Sequence, residues 1–290
     1  MAQTCTHVLG IYHPAKTILS TRVSLGPRLK ILCDGFNPRK TKNLGYSMKS
    51  MILGVMSDVH ANIHALKAAW AAFQARGLTH TICLGDLVGY GASPLEVIAF
   101  MRDNNIPTTL GASDARIAFE LSENIEPRTG VADQTLVWTK TQIGESEMRY
   151  MRQLKVVERL QTPRGRLKFF HGLPNDPDGR LDLQVSSNEL DAQLEQLNAS
   201  IIISGGTHIP AIQRTRNGVF INPGSVGLSL NGEPGADCAI IEFGLRPEVD
   251  LLKVKYDYQA AAFDILTWGL PPVIADVIKA GSANPGNTKR

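Results

Sequence analysis

The chain has 290 residues, of which 43% are hydrophobic and 20% charged, and its formal net charge is +3. This composition excludes a disordered or collagen-like chain, and the length is enough for one large domain or two small ones. The charge is uneven, because residues 1–50 carry +7 and the remaining residues carry −4. A mildly acidic body argues against nucleic acid as a partner, although the overall basic balance would favour one.

The basic leader, residues 1–50, shows no sustained strand or helix period. Its apolar run Val8–Tyr12 is too short for a secretory signal. We interpret the leader as an unstructured tail or an over-extended start, because Met48 and Met51 stand next to the first strand. Organellar import through residues 1–50 is a second interpretation.

The four cysteines, Cys5, Cys33, Cys83 and Cys238, are widely spaced and form no CxxC pair. This spacing is typical of reduced thiols and indicates neither a disulfide framework nor a zinc site. No apolar run approaches the roughly 18 residues that a membrane span needs. We therefore expect a cytoplasmic protein that does not enter a membrane.

Strands and helices alternate from residue 51 onward. Apolar runs and helical spacing predict, in chain order, a strand over 52–56, a helix over 62–75, a strand over 79–84, a helix from Ser93 and a strand over 107–110. Ser93, Pro94 and Glu96 predict a capping box with proline at the first helical position. This βαβαβ order predicts a parallel sheet in an α/β fold.

The second half predicts more strands and fewer helices. The expected elements are helical segments between 115 and 155, a hairpin over 156–162 and 166–170, a helix over 187–197, strands over 201–203, 211–215, 219–221, 237–243 and 249–256, and a helix over 259–268. Asn217-Gly218 predicts a hairpin turn. With no repeat or linker, we treat 51–282 as one domain and 283–290 as a flexible tail.

Polar side chains follow the ends of four predicted strands. They are Asp58, His60, Asp86, His171 and His208. Functional groups of open α/β sheets lie beyond the carboxyl ends of strands, and in extended chain Asp58 and His60 would point to the same side. Mixed Asp and His ligands suit a divalent transition metal such as Mn, Fe, Co, Ni or Zn.

The sequence lacks the common motifs for nucleotide binding and for serine hydrolases. The chain contains no GxxxxGK[ST] loop, no GxGxxG after the first strand and no GxSxG elbow. We expect the run Gly224–Gly227 to shape the edge of a sheet near the metals, with Asn222-Pro223 setting the turn.

The motifs together resemble the calcineurin-like metallophosphoesterases, in the small bacterial-type phosphodiesterase branch. They are SDVHAN (57–62), GDLVGYG (85–91), GASD (111–114), FHG (170–172), GGTHIP (205–210) and NPGSVG (222–227), and they cover nearly all of 51–282. The resemblance implies a four-layer α/β/β/α sandwich with a two-metal site between the sheets. It also implies hydrolysis of phosphomonoesters or phosphodiesters by metal-activated water.

Carried over position by position, the resemblance makes Asp58, His60 and His208 ligands of the first metal. Asp86 would bridge the two metals and His171 would bind the second, and the resemblance makes these two the catalytic residues.

The chain departs from the family pattern at two ligand positions. Ala112 stands where the family has an asparagine ligand and Gly206 where it has a histidine, both for the second metal. Ser113 stands where some members carry a histidine that protonates the leaving group. We therefore predict a tightly bound first ion and a second ion that binds weakly or not at all.

These departures leave three interpretations open. The first is a phosphoesterase acting on a small phosphorylated substrate, weakened by the lost ligands. The second is a non-catalytic protein of this fold that binds a phosphorylated ligand or a protein partner. The third is an ordinary enzyme disabled by two changes. The five retained ligands favour an occupied metal site, and we expect a hydrolase.

Overall fold

The computed structural model describes residues 51–120, 130–181 and 185–284. The predictions for the leader, and for most of the C-terminal tail, fall outside these ranges. None of the described helices combines the length and the apolar character that a membrane span requires. Cys83 and Cys238 are free and buried in the core, while the cytoplasmic setting stays a prediction.

The described residues form nine strands and eight α-helices. The strands are β1 Met51–Met56, β2 His80–Cys83, β3 Val157–Thr162, β4 Gly165–Phe170, β5 Ile201–Ser204, β6 Ala211–Arg214, β7 Val219–Asn222, β8 Ala236–Phe243 and β9 Pro247–Val254. The helices are α1 Ile63–Ala75, α2 Pro94–Asp103, α3 Ala112–Ala115, α4 Val131–Gln142, α5 Glu145–Arg152, α6 Ser187–Gln196, α7 Tyr258–Thr267 and α8 Pro272–Ala280, and a π-helical turn, Arg116–Glu120, follows α3.

The strands form two mixed sheets. The first sheet has the order β2-β1-β8-β9, and the second has the order β3-β4-β5-β7-β6. In the first sheet only β1 and β2 are parallel. In the second, the central β4–β5 and β5–β7 pairs are parallel and the two outer pairs are antiparallel.

Side-chain alternation along the strands produces four layers. In β1, Leu53 and Val55 face the second sheet, whereas Met56 lies in the cluster that contains α1 and α2. On the far side of the second sheet, α6 packs Leu190 and Leu194 against Phe170, Ile202 and Phe220. The order is therefore helices, sheet, sheet, helix, which confirms the predicted α/β/β/α sandwich.

The predicted parallel βαβαβ sheet is confirmed only in its first strand pair. Strands β1 and β2 are parallel, but the other neighbour of β1 is the antiparallel strand β8. The predicted strand over 107–110 is reduced to isolated bridges from Thr108 to Cys83 and from Thr109 to Lys155. Pro107 has no N–H to donate, and the chain leaves β2 after one residue pair, so no ladder forms.

Helix boundaries follow local chemistry in most cases. The Asn62 side chain accepts the Ala65 N–H and begins α1. Pro94 stands at the start of α2 as predicted, but the Ser93 side chain makes no capping hydrogen bond. Helix α8, which the sequence analysis missed, begins at Pro272, where a missing N–H costs nothing.

Candidate metal centre

The five predicted ligands lie together at one end of the sandwich, all of them buried. Asp58 and His60 follow β1, Asp86 follows β2, His171 follows β4 and His208 follows β5. Their ligand atoms form two overlapping groups, each within 4.8 Å: Asp58 with His60 and His208, and Asp58 with Asp86 and His171. Two sheets thus contribute to one centre.

Asp58 Oδ1 is the atom that the two groups share. It lies 3.2 Å from His208 Nε2, 3.7 Å from His171 Nε2 and 4.0 Å from His60 Nε2. Asp86 Oδ2 lies between two of the rings, 3.6 Å from His60 Nε2 and 3.5 Å from His171 Nε2. The two carboxylates therefore lie among the three imidazole nitrogens.

The loops that carry the ligands have left-handed backbone. The φ angles are 53° at Asp58, 46° at His60, 52° at Asp86 and 60° at His208. The interpretation that Asp58 and His60 converge through extended chain is therefore wrong. Asp and His tolerate this region better than most residues, because short polar side chains bond locally.

Backbone hydrogen bonds join the loops after β1 and β2. The Asp58 N–H donates to the Gly85 carbonyl at 3.0 Å, and the His60 N–H donates to the Asp86 carbonyl at 2.8 Å. These contacts hold both carboxylates and His60 at a fixed spacing. The left-handed residues are thus compensated by hydrogen bonds that only this loop pairing provides.

Each histidine ring is oriented by a backbone carbonyl that faces its Nδ1. The pairs are His60 with Val88 at 3.2 Å, His171 with Leu84 at 3.0 Å and His208 with Leu228 at 2.8 Å. A carbonyl can only accept, so each Nδ1 carries the proton and donates it. In the neutral ring Nε2 is then a lone pair directed at the carboxylates, which is the arrangement of metal-binding histidines.

The donor set fits a cation. The Nε2 atoms of His60 and His208 are 3.2 Å apart, and two lone pairs at this distance repel each other unless a proton or a metal ion lies between them. Asp58 Oδ1 is buried and has no hydrogen-bond partner among the described residues. An ion held by Asp58, His60 and His208, with Asp86 and His171 beside it, would satisfy these atoms.

The carboxylates and imidazoles shift each other's pKa. Burial alone would lower the pKa of His171, but the charges of Asp86 and Asp58 outweigh it and raise the pKa to about 10. Asp58 likewise raises the pKa of His208 against burial. Burial dominates at His60 and lowers its pKa to about 4. Without a metal, protons on His171 and His208 balance the two carboxylates.

We expect the metal-free protein to lose stability as the pH rises above 6.5. His171 binds its proton more tightly when folded, so its contribution is complete below pH 6.5 and is lost as the pH rises towards about 10. Below pH 6.5 two groups oppose each other, because burial lowers the pKa of His60 to about 4, whereas burial and the charge of Asp86 raise the pKa of Asp114 to about 7. Thermal denaturation in chelator between pH 6.5 and 10 measures the alkaline loss.

Manganese is the control for this pH profile. A bound ion replaces the protons at Nε2, so the alkaline loss of stability should disappear in excess Mn²⁺. A melting temperature in chelator that rises steadily from pH 7 to 9.5 would contradict the assignment.

The two positions that lost family ligands lie against the centre. A Cβ on Gly206 would lie 3.4 Å from His171 Nε2, and the Gly206 N–H donates to Asp58 Oδ2 at 3.2 Å. Ala112 is the first residue of α3, directly before Ser113. Neither Ala112 nor Gly206 can supply a donor side chain, but Asp58 joins Asp86 and His171 as a third candidate ligand of a second ion.

Ser113 holds Asp86 through two hydrogen bonds. Its backbone N–H donates to Asp86 Oδ1 at 2.8 Å and its hydroxyl to Asp86 Oδ2 at 3.2 Å. The residue that replaces the family's leaving-group histidine is therefore directed at the carboxylate. It fixes the position of Asp86.

The sequence analysis missed Asp114. This fully buried carboxylate accepts from the N–H groups of Leu87, Val88 and Gly111 at 2.9, 3.3 and 3.2 Å. The Val88 carbonyl accepts the Nδ1–H of His60. Asp114 therefore supports the loop that orients the His60 ring. Its place in the GASD motif was the only signal in the sequence.

Comparison with known proteins agrees with this geometry. The family model described as "Calcineurin-like phosphoesterase superfamily domain" matches residues 51–244. An uncharacterised protein of Methanocaldococcus jannaschii is 26% identical over 250 residues, which is 81% of this chain and 99% of that protein.

Two solved structures are similar over most of the chain. A metallophosphoesterase from Sphaerobacter thermophilus has a TM-score of 0.67 at 25% identity, covering 80% of this chain and 100% of that one. A hypothetical protein from Pyrococcus horikoshii has a TM-score of 0.73 at 20% identity, covering 80% and 99%, and shares the fold. From the family match over residues 51–244, the chain belongs to the calcineurin-like phosphoesterase superfamily.

Proposed function

We propose that this protein hydrolyses a small phosphomonoester or phosphodiester with one tightly bound divalent transition-metal ion. The observation that carries the proposal is Asp58 Oδ1, which is buried, has no hydrogen bond from any described residue and lies within 4.0 Å of three imidazole Nε2 atoms. All three rings donate their Nδ1–H to backbone carbonyls. Such a set of directed acceptors matches a cation and matches no ordinary core packing.

The residues around the centre would have different roles. Asp58, His60 and His208 would hold the first ion, which when bound polarises a phosphoryl oxygen and lowers the pKa of water. Asp86 would lie between the first and second positions, kept in place by the Ser113 N–H and hydroxyl. His171 lies 3.5 Å from Asp86 Oδ2 and would contribute to a second ion, its ring oriented by the Leu84 carbonyl.

The mixed nitrogen and oxygen donors favour Mn, Fe, Co, Ni or Zn over calcium. A second ion would have Asp58, Asp86 and His171 as its ligands and would share Asp58 with the first ion. We propose that it binds much more weakly, because positions 112 and 206 supply no donor atom.

The test uses the purified full chain and a chromogenic aryl phosphodiester. An aryl leaving group suits the site, because position 113 carries a serine bonded to Asp86 and no histidine acid. We expect close to one tightly bound ion per chain, activity that a chelator removes, and recovery on adding Mn²⁺.

Each other result has a distinct meaning. A folded chain that binds none of the five metals would refute the proposal. A chain that keeps its ion and binds phosphate esters without hydrolysing them would support the non-catalytic binding protein instead. Two tightly bound ions would contradict the single-ion form of the proposal.

A further inference from the structure

Ser225 makes two hydrogen bonds that connect separate parts of the centre. It belongs to the NPGSVG motif, whose chemical role the proposed function leaves open, and it is fully buried. Its hydroxyl donates to the Asp58 carbonyl at 2.8 Å and accepts the Leu228 N–H at 2.8 Å. One hydroxyl therefore uses both its donor and an acceptor.

Leu228 extends this connection to a histidine. Its carbonyl accepts the Nδ1–H of His208 at 2.8 Å. The path from Asp58 through Ser225 and Leu228 to His208 thus consists of three hydrogen bonds, each 2.8 Å long. The path ends at the Asp58 carbonyl and His208 Nδ1, and the ligand atoms of the same two residues, Asp58 Oδ1 and His208 Nε2, lie 3.2 Å apart.

The rest of the loop limits how far this path can move. The N–H groups of Val226 and Gly227 donate to the carbonyls of Ser57 and Asp58, both at 2.9 Å. Asn222 donates to the Thr207 hydroxyl at 2.9 Å, one residue before His208. The loop therefore holds the backbone on both sides, while Ser225 supplies the side-chain contact between them.

We propose that Ser225 is a positioning residue that sets the spacing of Asp58 and His208 for the first metal ion. The inference rests on the proposed function, because it needs the ion to bind there. Ser225 touches neither the ion nor the substrate. Its effect passes through the Asp58 backbone, which is left-handed, and through the tilt of the His208 ring.

The experiment compares Ser225→Ala with Ser57→Ala in the full chain loaded with Co²⁺. The Ser57 hydroxyl is equally buried and lies one residue from Asp58, but it has no hydrogen-bond partner among the described residues. Both variants lose one buried hydroxyl, and only Ser225→Ala loses hydrogen bonds. Visible absorption of bound Co²⁺ reports ligand geometry, and competition with a chelator reports affinity.

We expect Ser225→Ala to bind Co²⁺ about tenfold more weakly, with shifted absorption bands, and Ser57→Ala to match the unmodified chain. An unchanged affinity and spectrum in Ser225→Ala would overturn the inference and leave the proposed function intact. If the unmodified chain itself binds no Co²⁺, the proposed function fails first.

A second variant covers the case in which Ser225→Ala does not fold. Ser225→Cys keeps a weak donor and acceptor at the same position. We expect this variant to bind Co²⁺ more weakly than the unmodified chain does, without losing binding completely. Full affinity in folded Ser225→Cys, with an unshifted spectrum, would also overturn the inference.

Discussion

Replacing Asp58 with asparagine is expected to remove tight metal binding and to lower phosphoesterase activity by about 10³-fold. Asp58 Oδ1 is the atom shared by both candidate ligand groups. An amide at this position has no negative charge, and its NH₂ group could donate to the imidazole lone pairs that would otherwise face the ion. The variant therefore satisfies the histidines without a metal.

Metal content after dialysis and the rate on the aryl phosphodiester measure this effect. The matched control is Asp264→Asn, the same change in a partly exposed carboxylate that pairs with His64 at 2.7 Å, outside the ligand groups. The control should keep its ion and its rate. Retention of one tightly bound ion by Asp58→Asn would refute the assignment of Asp58 as a ligand.

The double change Ala112→Asn with Gly206→His is expected to raise the metal content from one to two ions per chain. It supplies an amide and an imidazole, so a second ion would have five candidate ligands in place of three. A second ion can stabilise both the attacking and the leaving oxygen. We expect a rate increase of about tenfold or more, equivalent to about 1.4 kcal/mol of transition-state stabilisation.

The gain has a cost in stability. Gly206 has φ of 75°, so a histidine there costs about 1–2 kcal/mol of backbone strain. Its Cβ would also lie 3.4 Å from His171 Nε2, a close but tolerable contact. Gly206→Ala has the same strain without a ligand and is the matched control. If the double variant binds one ion at an unchanged rate, the missing ligands do not limit this protein.

The convergence of the five candidate side chains could be predicted from the sequence because each of them follows an apolar strand. Locating the ends of β1 and β4 was enough to place Asp58 and His171. The layers were predicted through the family resemblance, and the alternation of Leu53 and Val55 with Met56 bears them out. These features depend on local patterns, and local patterns are visible in one chain.

The pairing of β8 with β1 could not be predicted in this way. The two strands are far apart in sequence, and an apolar run does not reveal its neighbour or its direction. The βαβαβ pattern therefore indicated the parallel β1–β2 pair but not the antiparallel strand on the other side of β1. Helix α8 was missed because two prolines, Pro271 and Pro272, stand at its start, although proline is well tolerated in a first helical turn.

The orientation of the side chains in the centre could not be predicted from the residue types. The acceptors that fix the imidazole rings are the backbone carbonyls of Leu84, Val88 and Leu228, and every residue type has such a carbonyl. The left-handed angles at Asp58 and His208 arise from loop contacts between distant segments. Asp114 and Ser225 accept hydrogen bonds from the backbone N–H groups of Val88 and Leu228 in the same way.

The hydrogen bond from the His171 ring to the Leu84 carbonyl crosses from one sheet to the other. Between their strands the two sheets pack through an apolar cluster, and apolar contacts resist separation better than they resist sliding. A slip of one sheet would part Asp58 from both His171 and His208. An ion bound among them would therefore act as a cross-link against shear, and mechanical rigidity and catalytic geometry in this sandwich would depend on the same few atoms.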